Sequence, residues 1–235
     1  MTDSRDVASR SPAMKDTDQR SRNRGFFVSF EGAESSGKST QTALLVAWLR
    51  EQGFGVLQTR EPGGTSVGEG VRDILLAHAS KMSAQTEALL FASARTELVD
   101  SVILPALCEG KVVVCDRYID SSLAYQGYGL GLPIEEILAV NRWAVCRAMP
   151  DVTILLGHGR ELAASGTVEG PDRIESRGGD FHRRVRMGYL QIASRDRNRV
   201  VVVDTSPGIE ATAKEIRSII ARRLRAKIGY DQSTE

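Results

Sequence analysis

At 235 residues the chain is long enough for one sizeable core and short for two. With 41% hydrophobic residues and 31 Lys plus Arg against 30 Asp plus Glu, it reads as an ordinary soluble globular protein, and this balance argues against a nucleic-acid binder with a strongly basic face. No apolar run approaches the roughly 18 residues of a membrane helix, and the N-terminus has no signal-peptide core. Three widely spaced cysteines, Cys108, Cys115 and Cys146, fit neither a disulfide framework nor a metal site; each is expected as a small apolar packing residue in a reducing, cytoplasmic setting.

Residues 1–24 are rich in Ser, Asp, Arg and Lys and bury too little to offset their ordering entropy, which predicts a disordered tail, either a plain extension or a regulatory arm. From Phe26 onward short apolar runs alternate with longer helical stretches. Strands are expected at Phe26–Phe30, Gly55–Thr59, Val112–Cys115, Val152–Leu156 and Val200–Val203, apolar on both faces as in a covered parallel sheet. Helices are expected at Thr40–Gln52, Val67–Leu76, Gln85–Leu104, Pro133–Ala148, Asp180–Ser194 and Ile209–Lys227. The basic side chains of the last helix, Lys214, Arg217, Arg222, Arg223, Arg225 and Lys227, read as a solvated face, and residues 229–235 as a C-terminal tail. This alternation predicts one α/β domain over 25–228, a three-layer α/β/α arrangement on a five-stranded parallel sheet.

Between the first strand and the first helix stands Gly32-Ala33-Glu34-Ser35-Ser36-Gly37-Lys38-Ser39, a complete phosphate-loop motif in the context that its chemistry needs. Its glycines let successive N–H groups turn inward on phosphate oxygens, and the helix that follows adds the positive end of its dipole. Lys38 offers a mobile charge for the β- and γ-phosphates, and the Ser39 hydroxyl a ligand for Mg²⁺. A nucleoside triphosphate is the implied ligand. After the third strand, Asp116 is placed to hold Mg²⁺ or its water, and Arg117 offers a planar fork to an incoming phosphate; a structural salt bridge is the competing reading of this pair.

Further motifs occur in order: Arg60-Glu61-Pro62-Gly63-Gly64-Thr65, Leu90-Phe91-Ala92-Ser93-Ala94-Arg95, Asp116-Arg117-Tyr118 with Ser121-Ser122-Leu123-Ala124-Tyr125-Gln126-Gly127, then Asp172-Arg173-Ile174-Glu175 and Phe181-His182-Arg183-Arg184-Val185-Arg186. Together with the phosphate loop, over roughly residues 26–228, they resemble the bacterial thymidylate kinases. The resemblance implies a P-loop kinase that uses ATP and Mg²⁺ to phosphorylate dTMP to dTDP, as a homodimer without nucleic-acid or membrane partners. It implies that Gly32, Ala33, Glu34, Ser35, Ser36, Gly37, Lys38, Ser39 and Thr40 hold ATP, with Ser39 and Asp116 at the metal. It implies an acceptor pocket in which Phe91 stacks on thymine, Arg95, Ser122 and Gln126 meet the base, and Tyr125 lies against the deoxyribose. Arg60 and Arg117 would bind the acceptor phosphate, Glu34 the sugar 3′-hydroxyl or that phosphate, and Pro62 and Ser121 would complete the pocket. Asp172 and Glu175 match acidic positions near the metal and acceptor.

The sequence departs from that family in the lid, about 157–175. The phosphate loop has no arginine, so the family pattern expects an arginine-rich lid, yet this segment holds Arg160 and, at its end, Arg173; Gly157 also stands where the family has Asp. Lys38, Glu34, Arg117, Arg160 and Arg173 form the catalytic set on this reading. The alternatives are a slow enzyme with a weak lid, a protein that binds nucleotide without transfer, or a kinase for another pyrimidine nucleotide.

Overall fold

The computed structural model describes residues 25–158 and 172–228. Five strands, β1 (Phe26–Gly32), β2 (Val56–Arg60), β3 (Val112–Asp116), β4 (Val152–Gly157) and β5 (Val200–Asp204), form one parallel sheet in the order β2-β3-β1-β4-β5. The registers pair Phe30 with Asp116, Arg60 with Asp116, Gly32 with Leu156 and Gly157 with Asp204, so all five strands end together at one edge. The expected five-stranded parallel α/β architecture is the one found.

Strand β1 is buried along its whole length because both faces are covered. Phe26, Val28 and Phe30 pack with Leu45 and Leu49 of α1 (Lys38–Glu51) and with Ile220 and Leu224 of α9 (Ile209–Ile228). Phe27, Val113, Cys115 and Leu155 face the opposite layer, which includes Ala88 and Leu98 of α3 (Ala84–Leu98) and Tyr189 of α8 (Gly179–Arg195). Leu49 is fully buried, and truncating it to Ala would cost about 2–5 kcal/mol. Among the described residues no helix is long and apolar enough to cross a membrane.

Three local expectations are corrected. The helix expected through Gln85–Leu104 is interrupted by a π-helical segment at Val99–Ile103 before α4 (Leu104–Cys108) resumes, because Pro105 has no N–H for the i−4 bond. The helix expected through Pro133–Ala148 splits into α6 (Ile134–Val140) and α7 (Arg142–Val145) at Asn141, whose side chain turns inward to accept from Arg95 at 2.6 Å. Of the three cysteines only Cys115 is a packing residue; Cys108 and Cys146 are exposed. A helical stretch that was not expected follows β3: α5 (Ile119–Ser122) and a π-helical turn, Leu123–Gly129. Remaining helix α2 (Ser66–Leu76) follows β2 and is capped by Thr65, whose side chain accepts from Gly68 N. The expected tails, 1–24 and 229–235, and the lid interior with Arg160 lie outside the described residues.

Candidate functional site

The site is assembled where the strands end. The phosphate loop leaves β1 at Gly32, whose φ of 141° and close approach to Leu156 O, 2.5 Å from where a Cβ would sit, admit only glycine. Gly37, at φ 88°, caps α1, whose first turn carries no acidic residue, so its positive end faces the loop uncompensated. Lys38 is buried, and its Nζ donates to Gly32 O at 3.1 Å and Ala33 O at 2.7 Å, straddling the loop. Burial, followed by the neighbouring Arg117 charge, lowers its pKa to about 7. Beside the loop an open cavity is bordered by Gly37, Thr40, Gln41, His158, Thr205 and Ile209.

At the end of β3, Asp116 Oδ1 is buried and accepts no hydrogen bond from a described residue. Arg117 follows in the left-handed region at φ 67°, an uncommon conformation for a non-glycine residue. That backbone turn sends its side chain back over the loop: Nη1 lies 3.1 Å from Gly32 O and Nη2 3.4 Å from Glu34 Oε1. Beneath it, buried Glu31 accepts from Tyr118 N, Ser121 Oγ and Tyr189 OH, and the last two also meet Arg117 Nη1 at 3.3 Å. Burial, reinforced by Asp120, pushes the Glu31 carboxyl up to about 7. Glu34 behaves oppositely: burial works against its charge, but Arg117 and the Tyr125 hydroxyl hold it below the ordinary carboxylate range.

Next to these groups opens a second cavity. Eight of the residues expected in the acceptor pocket line it: Glu34, Pro62, Phe91, Arg117, Ser121, Ser122, Tyr125 and Gln126. They come from four separate stretches of the chain: the phosphate loop, the turn after β2, α3, and the run 117–126 after β3. The π-helical turn brings Tyr125 and Gln126 to one wall, and it packs so closely on α8 that a Cβ on Gly129 would meet Phe181 at 2.6 Å. Asp172 and Glu175 also line the cavity, with Asp172 Oδ1 accepting from the N–H groups of Ile174 and Glu175.

Three expected contacts are not brought to the cavity. Arg95 is 1% exposed and its guanidinium is committed within the protein: Nε donates to Glu61, Nη1 to Ser122 and Asn141, and Nη2 to Tyr118 O, with Nη2 also 2.6 Å from Glu61 Oε2. It therefore stands behind the wall, bracing Ser122 and Glu61. Arg60 is half exposed and pairs with Glu69 at 2.8 Å. Arg173 donates to Leu75 O at 2.7 Å and to Glu87 at 2.6 Å, away from the phosphate loop.

Several residues that the sequence did not single out take part. Arg72 lines the cavity and donates to Pro62 O. Glu61 lines it too; burial pushes its carboxyl up to about 7 despite Arg95, and its Oε1 accepts no hydrogen bond from a described residue. His182 Nδ1 stands 3.8 Å from Glu34 Oε2. Arg177 joins Arg173 on Glu87. Glu61, Arg173 and His182 fall inside motifs quoted from the sequence, though not for these contacts; Arg72 and Arg177 fall in none.

The family model described as thymidylate kinase matches residues 30–216. The chain belongs to the thymidylate kinase family. Among its relatives, the thymidylate kinase of Symbiobacterium thermophilum is 49% identical over 200 residues, 84% of this chain and 94% of the relative. That of Thermoanaerobacter pseudethanolicus is 44% identical over 203 residues, 86% of this chain and all of the relative. The crystal structure of the thymidylate kinase from Ehrlichia chaffeensis superposes with a TM-score of 0.69 at 33% identity, covering 83% of this chain and 98% of that one. Against that family background, the donors present are of the kind a hard divalent cation takes: Asp116 at the end of β3 has an uncommitted buried oxygen, and Ser39 in the first turn of α1 carries an exposed hydroxyl.

Proposed function

We propose that the cavity lined by Phe91, Tyr125 and Gln126 is the dTMP site of this member of the thymidylate kinase family, and that the phosphate loop beside it holds ATP. The chain is an ATP-dependent dTMP phosphotransferase that yields dTDP. The observation that carries the assignment of the site is the position of Arg117, which touches both the loop at Gly32 O and the acceptor cavity through Glu34. A guanidinium there can grip the acceptor phosphate while Lys38, from the same loop, meets the donor phosphates.

Phosphoryl transfer asks chiefly for alignment and charge neutralisation. The acceptor is a phosphate monoester whose second pKa lies near ~6, so it is already an anion at neutral pH and needs no general base. Lys38, whose proton is held loosely in its buried setting, would be recharged by phosphate oxygens replacing its carbonyl partners. When bound, Mg²⁺ held by Ser39 and Asp116 supplies neutralising charge at the donor phosphates. Phe91 offers its ring to the thymine face, Ser122 and Gln126 its edge, and Tyr125 packs toward the sugar with its hydroxyl on Glu34. Arg72, also on the cavity wall, adds a second positive charge near the acceptor phosphate.

A homodimer is supported by exposed apolar side chains on three contacting helices, Leu89 on α3, Leu138 on α6 and Trp143 on α7. The test of the central reading is coupled ADP release with ATP and Mg²⁺, comparing dTMP, dUMP, dCMP, dGMP and no acceptor. Stimulation by dTMP well above the other acceptors is expected. Equal release with and without dTMP would overturn the assignment.

A further inference from the structure

Glu87 sits in the first turn of α3 and is 1% exposed, one turn before Phe91. Four donors converge on its carboxylate. Arg173 Nη2 and Arg177 Nη2 each lie 2.6 Å from Oε2, and Arg177 Nη1 and Gln126 Nε2 lie 3.2 and 3.0 Å from Oε1. A buried carboxylate is stable only when paired and fully bonded, and this one has two guanidinium partners. Burial alone would push its carboxyl up, yet the bonds from Arg177, Arg173 and Gln126 keep it below the ordinary range. An ionised carboxylate has no proton to give.

That fixes the neighbouring amide. Gln126 must face Glu87 with its NH₂ end, and its carbonyl oxygen then points the other way. This oxygen takes no hydrogen bond from any described residue, and Gln126 lines the acceptor cavity. We propose that Glu87, paired with Arg173 and Arg177, is a positioning residue for base selection: it holds the Gln126 amide so that a lone acceptor faces the base. A pyrimidine that carries an N3–H, as thymine and uracil do, satisfies that acceptor. Cytosine presents a lone pair at N3, and two acceptors then face each other across the pocket. The inference rests on the reading of the cavity as the dTMP site.

Glu87→Gln keeps the size of the side chain but lets position 87 donate as well as accept, so the Gln126 amide is free to turn. The expected result is a KM for dTMP raised about tenfold, an unchanged KM for ATP, and a tenfold or larger fall in the dTMP-over-dCMP ratio of kcat/KM. A wild-type KM and ratio in the variant would overturn the proposal, as would equal loss toward both acceptors, the mark of a purely structural role. Failure of the underlying reading shows elsewhere, as wild-type ADP release that dTMP does not stimulate, and that result would overturn both. Should Glu87→Gln not fold, the wild-type protein decides through the side-chain amide resonance of Gln126, assigned by its loss in Gln126→Leu. Its NH₂ protons are expected to resist solvent exchange with or without dTMP. Free exchange, or protection that appears only on adding dTMP, would overturn the proposal.

Discussion

The Tyr125 hydroxyl donates to Glu34 Oε1, the same oxygen that faces Arg117 Nη2, so one carboxylate of the phosphate loop is shared by a wall of the acceptor cavity and the guanidinium above it. Hydrogen bonds to a charged group contribute about 1.5–3 kcal/mol, against about 1 for a neutral pair. Tyr125→Phe removes the donor and leaves the ring in place. Its KM for dTMP is expected to rise about tenfold, equivalent to ~1.4 kcal/mol, with little change for ATP. A titration with each substrate checks this; an unchanged dTMP constant would detach Tyr125 from the acceptor.

Phe91 lines the cavity one helical turn beyond Glu87, on the face of α3 that meets the acceptor. Stacking of a base on an aromatic side chain is worth ~1–3 kcal/mol by alanine substitution, or roughly 5–150-fold in affinity. Phe91→Ala should weaken dTMP binding within that range in calorimetry, while Phe91→Tyr retains most of it. Equal affinity for Phe91→Ala and wild type would place the base elsewhere.

The buried carboxyl of Glu31 gives a pH dependence with a defined sign. Its pKa rises from 4.5 to about 7 on folding, first through burial and then through Asp120, with Ser121 and Arg117 opposing. An acid whose folded pKa is raised costs nothing below pH 4.5, where both states are protonated. Its penalty grows between pH 4.5 and 7, as the unfolded chain ionises first, and is constant above. The full penalty is on the order of 3 kcal/mol. Glu34 contributes the other way: its folded pKa is lowered, so its stabilisation is present above 4.5 and is lost as the pH falls below it. Denaturant unfolding of Glu31→Gln against wild type should therefore show the variant gaining relative stability from pH 5 to pH 8. A difference that stays flat over that interval would mean that Glu31 is ionised in the folded protein at pH 5.

How much of this could be read from the chain alone depended on the range of the interactions. The phosphate loop was legible because its chemistry is local: eight consecutive residues set both the turn and the ligands. The sheet was legible because both faces of β1, β3 and β4 are buried and the runs are apolar throughout. The stretch 119–129 was not, because its helical turns depend on contacts distant in sequence: Gly127 and Gly129 are sites of close approach to Ile134 and Phe181. Arg95 is the sharper case. The spacing of Phe91 and Arg95 suits a shared ligand, but Glu61, Ser122, Asn141 and Tyr118, all distant in sequence, hold Arg95 through all three of its nitrogens. Likewise the Arg177–Glu87 pair spans 90 residues and follows no period.

The two arginines at the ends of the lid should separate kinetically. Arg173 is tied by its backbone N–H to Leu76 O, by Nε to Leu75 O and by Nη2 to Glu87, so its guanidinium serves the acceptor side. Arg173→Ala removes one of the two cations on Glu87 and is expected to raise the KM for dTMP several-fold with a modest effect on kcat. Arg160 is the other arginine in the lid sequence, in a chain whose phosphate loop has none. An arginine that stabilises charge on the transferring phosphoryl group is worth about 10³–10⁵ in rate. Arg160→Ala should thus lower kcat by at least tenfold and leave both substrate constants near wild type. Single-turnover measurements with saturating ATP and dTMP isolate the transfer step from product release. If neither substitution slows that step, the neutralising charge comes from Lys38, Arg117 and the metal alone, and the short arginine-poor lid serves only to exclude water.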